Sequence, residues 1–433
     1  MPDERDSSRF GNEKEILMAM QTRRLAKLGF ALLGCGAILA AARPAAAGLL
    51  AQERPAMALW TVPPDPLAPP PEGLKQFDRL MIGVFVRSTT GRLVARRWGG
   101  TSWNWVDHGL PPKTSLACAP AVVAWRSGSS LTGSLLQISV MACGADGTLV
   151  ERRFNGYSWV WVRHEAPKGA AVKSPGAVVQ WKDGGGLNRL SFFFVGTDGN
   201  LHERFLNGSS WGWTNHATRV SSFQQDEAPA VVTWEPGRSP LSVFLRDDIG
   251  DLTERRLTGG NWEWKHYPLF VGAWELSLPL NSASAALAWR PPSASVRLQV
   301  FAVGADDHLL EFWGDDKSLE LKDHGLSPSP TPWLGFAAAA WGSGSMSIRM
   351  SLFGRDTDGS LINRWFDGAT WHWSDHGKPA STSLGKAAPT IITWKAGAVT
   401  RLNLFAVGLD GSLVEYWWNG QQWSWTEHKF PPF

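Results

Sequence analysis

Residues 401–428 read RLNLFAVGLDGSLVEYWWNGQQWSWTEH, which parses as three short strands joined by two tight turns. The runs RLNLFAVG, SLVEYWW and WSWTEH are rich in strand-forming residues, and Asp-Gly and Asn-Gly between them tolerate the positive φ that two-residue hairpins need. APTIITW (388–394) lies just upstream as a fourth strand, so the order is a (388–394), b, c and d. In strand d, alternation places Trp423 and Trp425 on one face and His428 on the other. Taken alone, two indoles beside an imidazole suggest an active site.

The rest of the chain repeats the motif. Trp-x-Trp recurs at Trp103/Trp105, Trp159/Trp161, Trp211/Trp213, Trp262/Trp264, Trp371/Trp373 and Trp423/Trp425; in the remaining copy the pair becomes Leu319 and Leu321. A histidine follows each copy: His108, His164, His216, His266, His324, His376 and His428, 50 to 58 residues apart, the fourth one residue tighter to its pair. A second series ends in Trp60, Trp125, Trp181, Trp234, Trp289, Trp341 and Trp394. The two series absorb 19 of the 26 tryptophans, so repetition explains the composition. A catalytic histidine is needed once, not seven times.

Seven four-stranded units of about 50 residues predict an all-β fold, a seven-bladed β-propeller with four antiparallel strands per blade. The predicted blades are about 54–108, 119–164, 175–216, 228–266, 283–324, 336–376 and 388–428, within one domain at 48–433. Strand a, rich in Ala and Val, suits the crowded centre. Two closures remain open: seven complete blades in the order a-b-c-d, or the Trp60 strand joining the last blade to close the ring.

Formal net charge is +3; the first 47 residues hold seven Lys or Arg and five Asp or Glu, so the remainder carries +1. That is no footprint for nucleic acid. Residues 21–48 read as a secretory signal: Arg23, Arg24 and Lys27, an apolar run from Leu28 to Ala42, and Ala45-Ala46-Ala47 before Gly48. The run is about 15 residues, short of the roughly 20 a spanning helix needs. The expectation is a signal peptide with an N-terminal extension over 1–47, and a secreted or periplasmic mature chain with no membrane span.

Sugars offer C–H faces that stack on indoles and hydroxyls that need donors and acceptors. Trp103, Trp105, Trp159, Trp161, Trp211, Trp213, Trp371, Trp373, Trp423 and Trp425 are the candidate stacking residues, and the Leu319 blade should be the poorest. Strand c adds Glu151, Glu203, Glu254, Glu311 and Glu415 at one position and Arg96, Arg152, Arg204, Arg255 and Arg364 at the next. Of these, Arg152, Arg204, Glu203 and Glu254 are the polar candidates for the clefts between blades. Interblade packing and interblade ion pairs would produce the same pattern.

The unit, of which residues 388–428 are a full copy, resembles the repeat of the bacterial seven-bladed β-propeller lectins of the Photorhabdus lectin type. The resemblance runs from Arg54 to His428. It implies a non-catalytic lectin that binds monosaccharides, notably fucose and O-methylated sugars, in Trp-lined pockets between blades, with glycans as partners and no cofactor. The Leu319/Leu321 copy and the shortened fourth copy depart from the pattern.

Other readings fit less well. A glycosidase needs one unique carboxylate pair, whereas most acidic positions here recur with the repeat, and no phosphate loop, nucleophile elbow or HExxH appears. DDIGD (247–251) and RDTDG (355–359) could suggest a cation, but they occupy the b–c hairpin, where turn chemistry accounts for aspartate, so no metal is expected. A protein-interaction propeller is the main rival and a glycan-processing hydrolase a lesser one. The sequence leaves the oligomeric state open. Cys118 and Cys143 flank the first hairpin of the second blade; pairing Trp125 with Gln137 or Leu136 would bring them into disulfide range, with two buried thiols as the alternative.

Overall fold

The computed structural model describes residues 48–62, 79–127, 135–183, 185–217, 222–225, 227–235, 238–271, 276–277, 279–282, 284–290, 296–315, 317–327, 333–342 and 348–433. The expected signal segment at 1–47 lies outside them. Seven sheets of four antiparallel strands form a ring. Their strands a to d are, in blade 1, Ala56–Val62, Arg79–Arg87, Leu93–Trp98 and Trp103–Gly109; in blade 2, Ala121–Ser127, Leu135–Cys143, Leu149–Phe154 and Trp159–Arg163. Blade 3 has Ala177–Lys182, Asn188–Val195, Leu201–Asn207 and Ser210–Asn215; blade 4 has Ala230–Glu235, Arg238–Arg246, Leu252–Thr258 and Asn261–Tyr267. Blade 5 has Ala285–Trp289, Arg297–Val303, Leu309–Gly314 and Leu319–Asp323; blade 6 has Leu334–Trp341, Arg349–Arg355, Leu361–Phe366 and Trp371–Asp375. Blade 7 has Thr390–Ala396, Val399–Val407, Leu413–Trp418 and Trp423–Glu427. A two-stranded ribbon, Phe270–Val271 with Leu276–Ser277, lies between blades 4 and 5 in the chain and accounts for the widest histidine spacing. Among the described residues there is no helix, hence none long and apolar enough to cross a membrane.

Each blade is anchored by one large buried side chain on strand b: Phe85, Met141, Phe193, Phe244, Phe301, Phe353 and Phe405, all at most 1% exposed. The residue opposite on strand a is small: Ala56, Ala121, Ala177, Ala230, Ala285, Ala337 and Thr390. That pairing lets seven inner strands converge while each blade buries an aromatic or thioether side chain, for about 1.5–3 kcal/mol apiece.

Successive blades are stitched at the b–c hairpin. The hairpin glycine carbonyl accepts from the segment entering the next blade: Gly91 O from Leu116 N–H at 2.9 Å, Gly147 O from Val172 N–H at 2.9 Å and Gly359 O from Leu384 N–H at 3.1 Å. These glycines have positive φ, 75°, 82° and 90°, and a Cβ on Gly359 would fall 2.7 Å from the Ser383 Cβ. Glycine is therefore required twice, by conformation and by the neighbour's approach.

The ring closes with complete blades and no shared strand. Leu49 N–H donates to Gly411 O at 3.0 Å, the bond that Leu116, Val172, Phe223, Leu280 and Leu384 make at other boundaries, and Thr89 N–H donates to Gly48 O at 2.9 Å. Leu49, Ile82, Val84, Phe405 and Val407 pack together across the seam.

In blade 2, Trp125 pairs with Gln137. The sulfurs of Cys118 and Cys143 are joined, with Cα atoms 5.5 Å apart.

Candidate carbohydrate-binding clefts

Six of the seven repeat histidines, all but His266, organise the blade boundaries from the end of strand d. In blade 2, His164 Nε2 lies 2.9 Å from Glu151 Oε2 on strand c, and the other oxygen of Glu151 accepts from Ser139 on strand b. Blades 3, 5 and 7 repeat this: His216–Glu203 at 3.0 Å, His324–Glu311 at 2.7 Å and His428–Glu415 at 2.9 Å. There the second oxygen accepts a hydrogen bond from Ser191, Gln299 or Asn403. The chain continues to strand a, where Trp181, Trp289 and Trp394 donate Nε1–H to those same groups at 3.0, 2.8 and 2.7 Å. A polar relay thus runs from the innermost to the outermost strand, with every member satisfied.

The relay crosses to the next blade through arginine. Arg96 Nε–H donates to His428 Nδ1 at 3.2 Å and Arg255 Nε–H to His216 Nδ1 at 3.4 Å, and an Arg364 terminal nitrogen lies 3.5 Å from His324 Nδ1. These bonds select the imidazole tautomer with its proton on Nε2, toward the glutamate. The guanidiniums also lie over the second Trp of their own strand d: Arg96 over Trp105 at 5.4 Å, Arg152 over Trp161 at 5.4 Å, Arg204 over Trp213 at 5.0 Å, Arg255 over Trp264 at 5.1 Å and Arg364 over Trp373 at 4.8 Å.

The first Trp of each pair faces the preceding blade. Trp103, Trp159, Trp211, Trp262 and Trp371 meet His428, His108, His164, His216 and His324 edge-on, with centroids 4.4–4.9 Å apart. The second reaches the same histidine's carbonyl: Trp105 to His428 O at 3.3 Å, Trp161 to His108 O at 3.2 Å, Trp264 to His216 O at 3.4 Å and Trp425 to His376 O at 3.4 Å. The tryptophans therefore form the interblade joint, and they remain half-buried.

Four boundaries carry the full set of Glu, His, Arg and two Trp: blades 7 and 1, 2 and 3, 3 and 4, and 5 and 6. Two are variants. Between blades 1 and 2, Ala95 stands where Glu would be, and His108 Nε2 has no partner. Between blades 6 and 7, Asn363 replaces Glu, Tyr416 replaces Arg and bonds His376 Nδ1 at 2.9 Å, and Trp423 stacks on Tyr416 at 4.9 Å. Burial without a carboxylate lowers both histidines: His108 to about 4, with Arg152 and Arg97 adding to the effect, and His376 to about 4. The boundary between blades 4 and 5 is different in kind, with Tyr267, Phe312 and Leu319 filling it.

The glutamates are spent inside the blades. Glu203 is buried between Ser191 and His216. Glu254 has no histidine and is held by Arg256 at 2.7 and 2.9 Å, Ser242 and the Tyr267 hydroxyl at 2.7 Å. The arginines are not spent. Arg96 and Arg364 each give one N–H to histidine, and the Nε–H groups of Arg152 and Arg204 have no acceptor. Desolvation lowers the pKa of all four, yet arginine stays charged, which leaves half-buried cationic donors on indole faces. Trp262, Trp264 and Arg255 complete a cleft that the sequence candidates omitted; the repeat position itself was the available signal.

A second concavity, of about 700 Å³, lies on the ring axis. It is lined by the Ala- and Pro-rich starts of strand a, with Arg54, Lys173 and Lys386 at its wall.

No family model matches the chain, and no curated protein matches it. Among solved structures, it is similar to the BP39L lectin of Burkholderia pseudomallei, at 19% identity over 88% of this chain and 98% of that one, with a TM-score of 0.62. It is also similar to a triple-arginine mutant of AofleA from Arthrobotrys oligospora, at 14% identity over 72% and 88%, with a TM-score of 0.51. The fucose-specific lectin of Aleuria aurantia aligns at 19% identity over 72% and 95%, with a TM-score of 0.49. At these identities the likeness is one of fold.

Proposed function

We propose that this protein is an exported lectin that binds monosaccharide units of glycans in the clefts between blades. The observation that carries the reading is the recurring desolvated arginine, half-buried on an indole face, whose Nε–H finds no protein acceptor in Arg152, Arg204 and Arg364. A pyranose offers what that constellation lacks: hydroxyl oxygens to accept from the guanidinium and a C–H face to meet the ring edge and indole. Fucose and O-methylated sugars, each with a methyl group to place against tryptophan, are the first candidates. The lectin of similar fold from Burkholderia pseudomallei supports a carbohydrate ligand. Repetition of the cleft supplies avidity where each site is weak.

The competent boundaries are those centred on Arg96, Arg152, Arg204 and Arg364. A glycan array followed by calorimetry with the best monosaccharide tests the reading. We expect millimolar-to-micromolar sites that weaken about tenfold or more when Arg152, Arg204 and Arg364 are together replaced by Met, which keeps the apolar stem and removes the donors. Silence across the array overturns it and favours the axial cavity as a protein-docking mouth. Its wall, where Arg54, Lys173 and Lys386 stand with Glu53 and Glu227 around an Ala- and Pro-rich mouth, is the observation behind that second reading.

A further inference from the structure

The fourth blade breaks the repeat at three places that meet in space. Its b–c hairpin begins with Asp247, where blades 2, 3, 5 and 7 have Gly144, Gly196, Gly304 and Gly408, and ends with Asp251, where others have Thr148, Asn200 or Ser412. His266 stands one residue early relative to its Trp pair. One step along a strand reverses the face, so Tyr267 takes the histidine's place beside Glu254, and His266 turns the other way, toward the hairpin. Its Nε2 lies 3.1 Å from Asp251 Oδ2 and 3.5 Å from Asp247 Oδ2, and the three atoms all lie within 4.8 Å of one another.

The inner oxygens of the two carboxylates are committed. Asp247 Oδ1 accepts from the Ile249 and Asp251 amides at 3.2 and 2.8 Å, and Asp251 Oδ1 accepts from the Leu269 amide at 3.1 Å. Both Oδ2 atoms face the imidazole. Asp247 is 0% exposed, and its Oδ2 accepts no hydrogen bond. A buried carboxylate oxygen without a donor is costly. The fold does not demand it, because glycine occupies that turn position in four other blades.

We propose that Asp247 Oδ2, Asp251 Oδ2 and His266 Nε2 hold a divalent transition-metal cation, Zn²⁺ by preference. At metal–ligand distances of about 2.0–2.2 Å the edges of a tetrahedron are about 3.4 Å, and the two histidine–carboxylate separations bracket that value. Mixed oxygen and imidazole ligation suits Zn²⁺, whereas Ca²⁺ and Mg²⁺ take oxygen alone. Three protein ligands leave a fourth position, and the half-exposed His266 ring places it toward solvent. The competing arrangement is a direct contact of His266 with both aspartates without metal.

Chelator-treated chain beginning at Gly48 is titrated with Zn²⁺ at pH 7.5 by calorimetry and by competition with a chromophoric chelator. We expect one saturable site per chain. Its affinity should fall at least tenfold in His266→Gln and in Asp251→Asn, and stay unchanged in Asp356→Asn, which alters the matching hairpin position of blade 6. His266 is half-exposed, so its variant keeps the fold, which circular dichroism verifies; Asp251→Asn repeats the test independently. The absence of a saturable site, or a site whose affinity survives both substitutions, overturns the proposal and leaves the direct contact.

Discussion

At the residue scale, the same histidine is built in two ways. Where a glutamate backs it, Nε2 has a carboxylate partner; at His108 and His376 nothing receives Nε2, and burial holds both near a pKa of about 4. A folded-state pKa below the unfolded value of about 6.5 means that the unfolded chain binds more protons between those values. Stability from these two residues is complete above about pH 6.5 and is lost as pH falls toward about 4, on the order of 3 kcal/mol each. Urea midpoints from pH 7.5 to 4.5 should fall with pH, and His108→Asn should flatten the slope; a slope unchanged in that variant contradicts the account. Trp371→Ala is a different experiment from the arginine substitutions. Trp371 meets His324 and Phe301 across the joint, so truncation should cost about 3–5 kcal/mol of stability, read by thermal unfolding, whatever it does to sugar.

At the scale of the element, the b–c hairpin bears the interblade stitch. Gly359→Ala places a Cβ 2.7 Å from the Ser383 Cβ at a φ of 90°, and about 1–3 kcal/mol should be lost; a midpoint unchanged in urea would refute the double requirement. The hairpin of blade 2 offers a second test. The Cys118–Cys143 bridge closes a loop with a sequence separation of 25 and should contribute about 3 kcal/mol. Thiol titration of the unfolded, unreduced chain from Gly48 onward should find none free. Much at this scale was legible in the sequence: turn residues, seven Trp-ended strands, and the Trp125–Gln137 register. The relay was not legible, because its members come from four strands and an adjacent blade. Arg96 and His428 are 332 residues apart, and adjacency across a ring leaves no periodic trace linking two such positions. Glu203 and Glu254 looked available for ligand because alternation gives a face but not what already occupies it. His266 reads in sequence as one of seven copies of a single position, whereas a one-residue shift gives it the opposite face.

At the scale of the whole molecule, closure rests on a short clasp. Leu49 is 3% exposed and makes at the seam between the last and first blades the bond that a covalent crossover makes elsewhere. Removing residues 48 and 49 should cost about 3–5 kcal/mol, from one buried leucine and two backbone hydrogen bonds. Calorimetry should show a lower Tm, and exchange protection should drop first at Thr89, whose amide donates to Gly48 O.

The clasp also makes the cut in the ring arbitrary. From the histidine to the residue that grips the preceding hairpin, covalent crossovers run eight positions at His108 to Leu116, His164 to Val172 and His376 to Leu384, and seven at His216 to Phe223. From His428 to Phe433, and on from Gly48 to Leu49, the same count is seven. Phe433 joined directly to Gly48 would therefore form one more crossover of ordinary length, and new termini opened between Lys168 and Gly169 would fall in a crossover of the same kind. Such a circular permutant should fold to the same propeller with its clefts intact, because a ring built of equivalent joints has no intrinsic beginning.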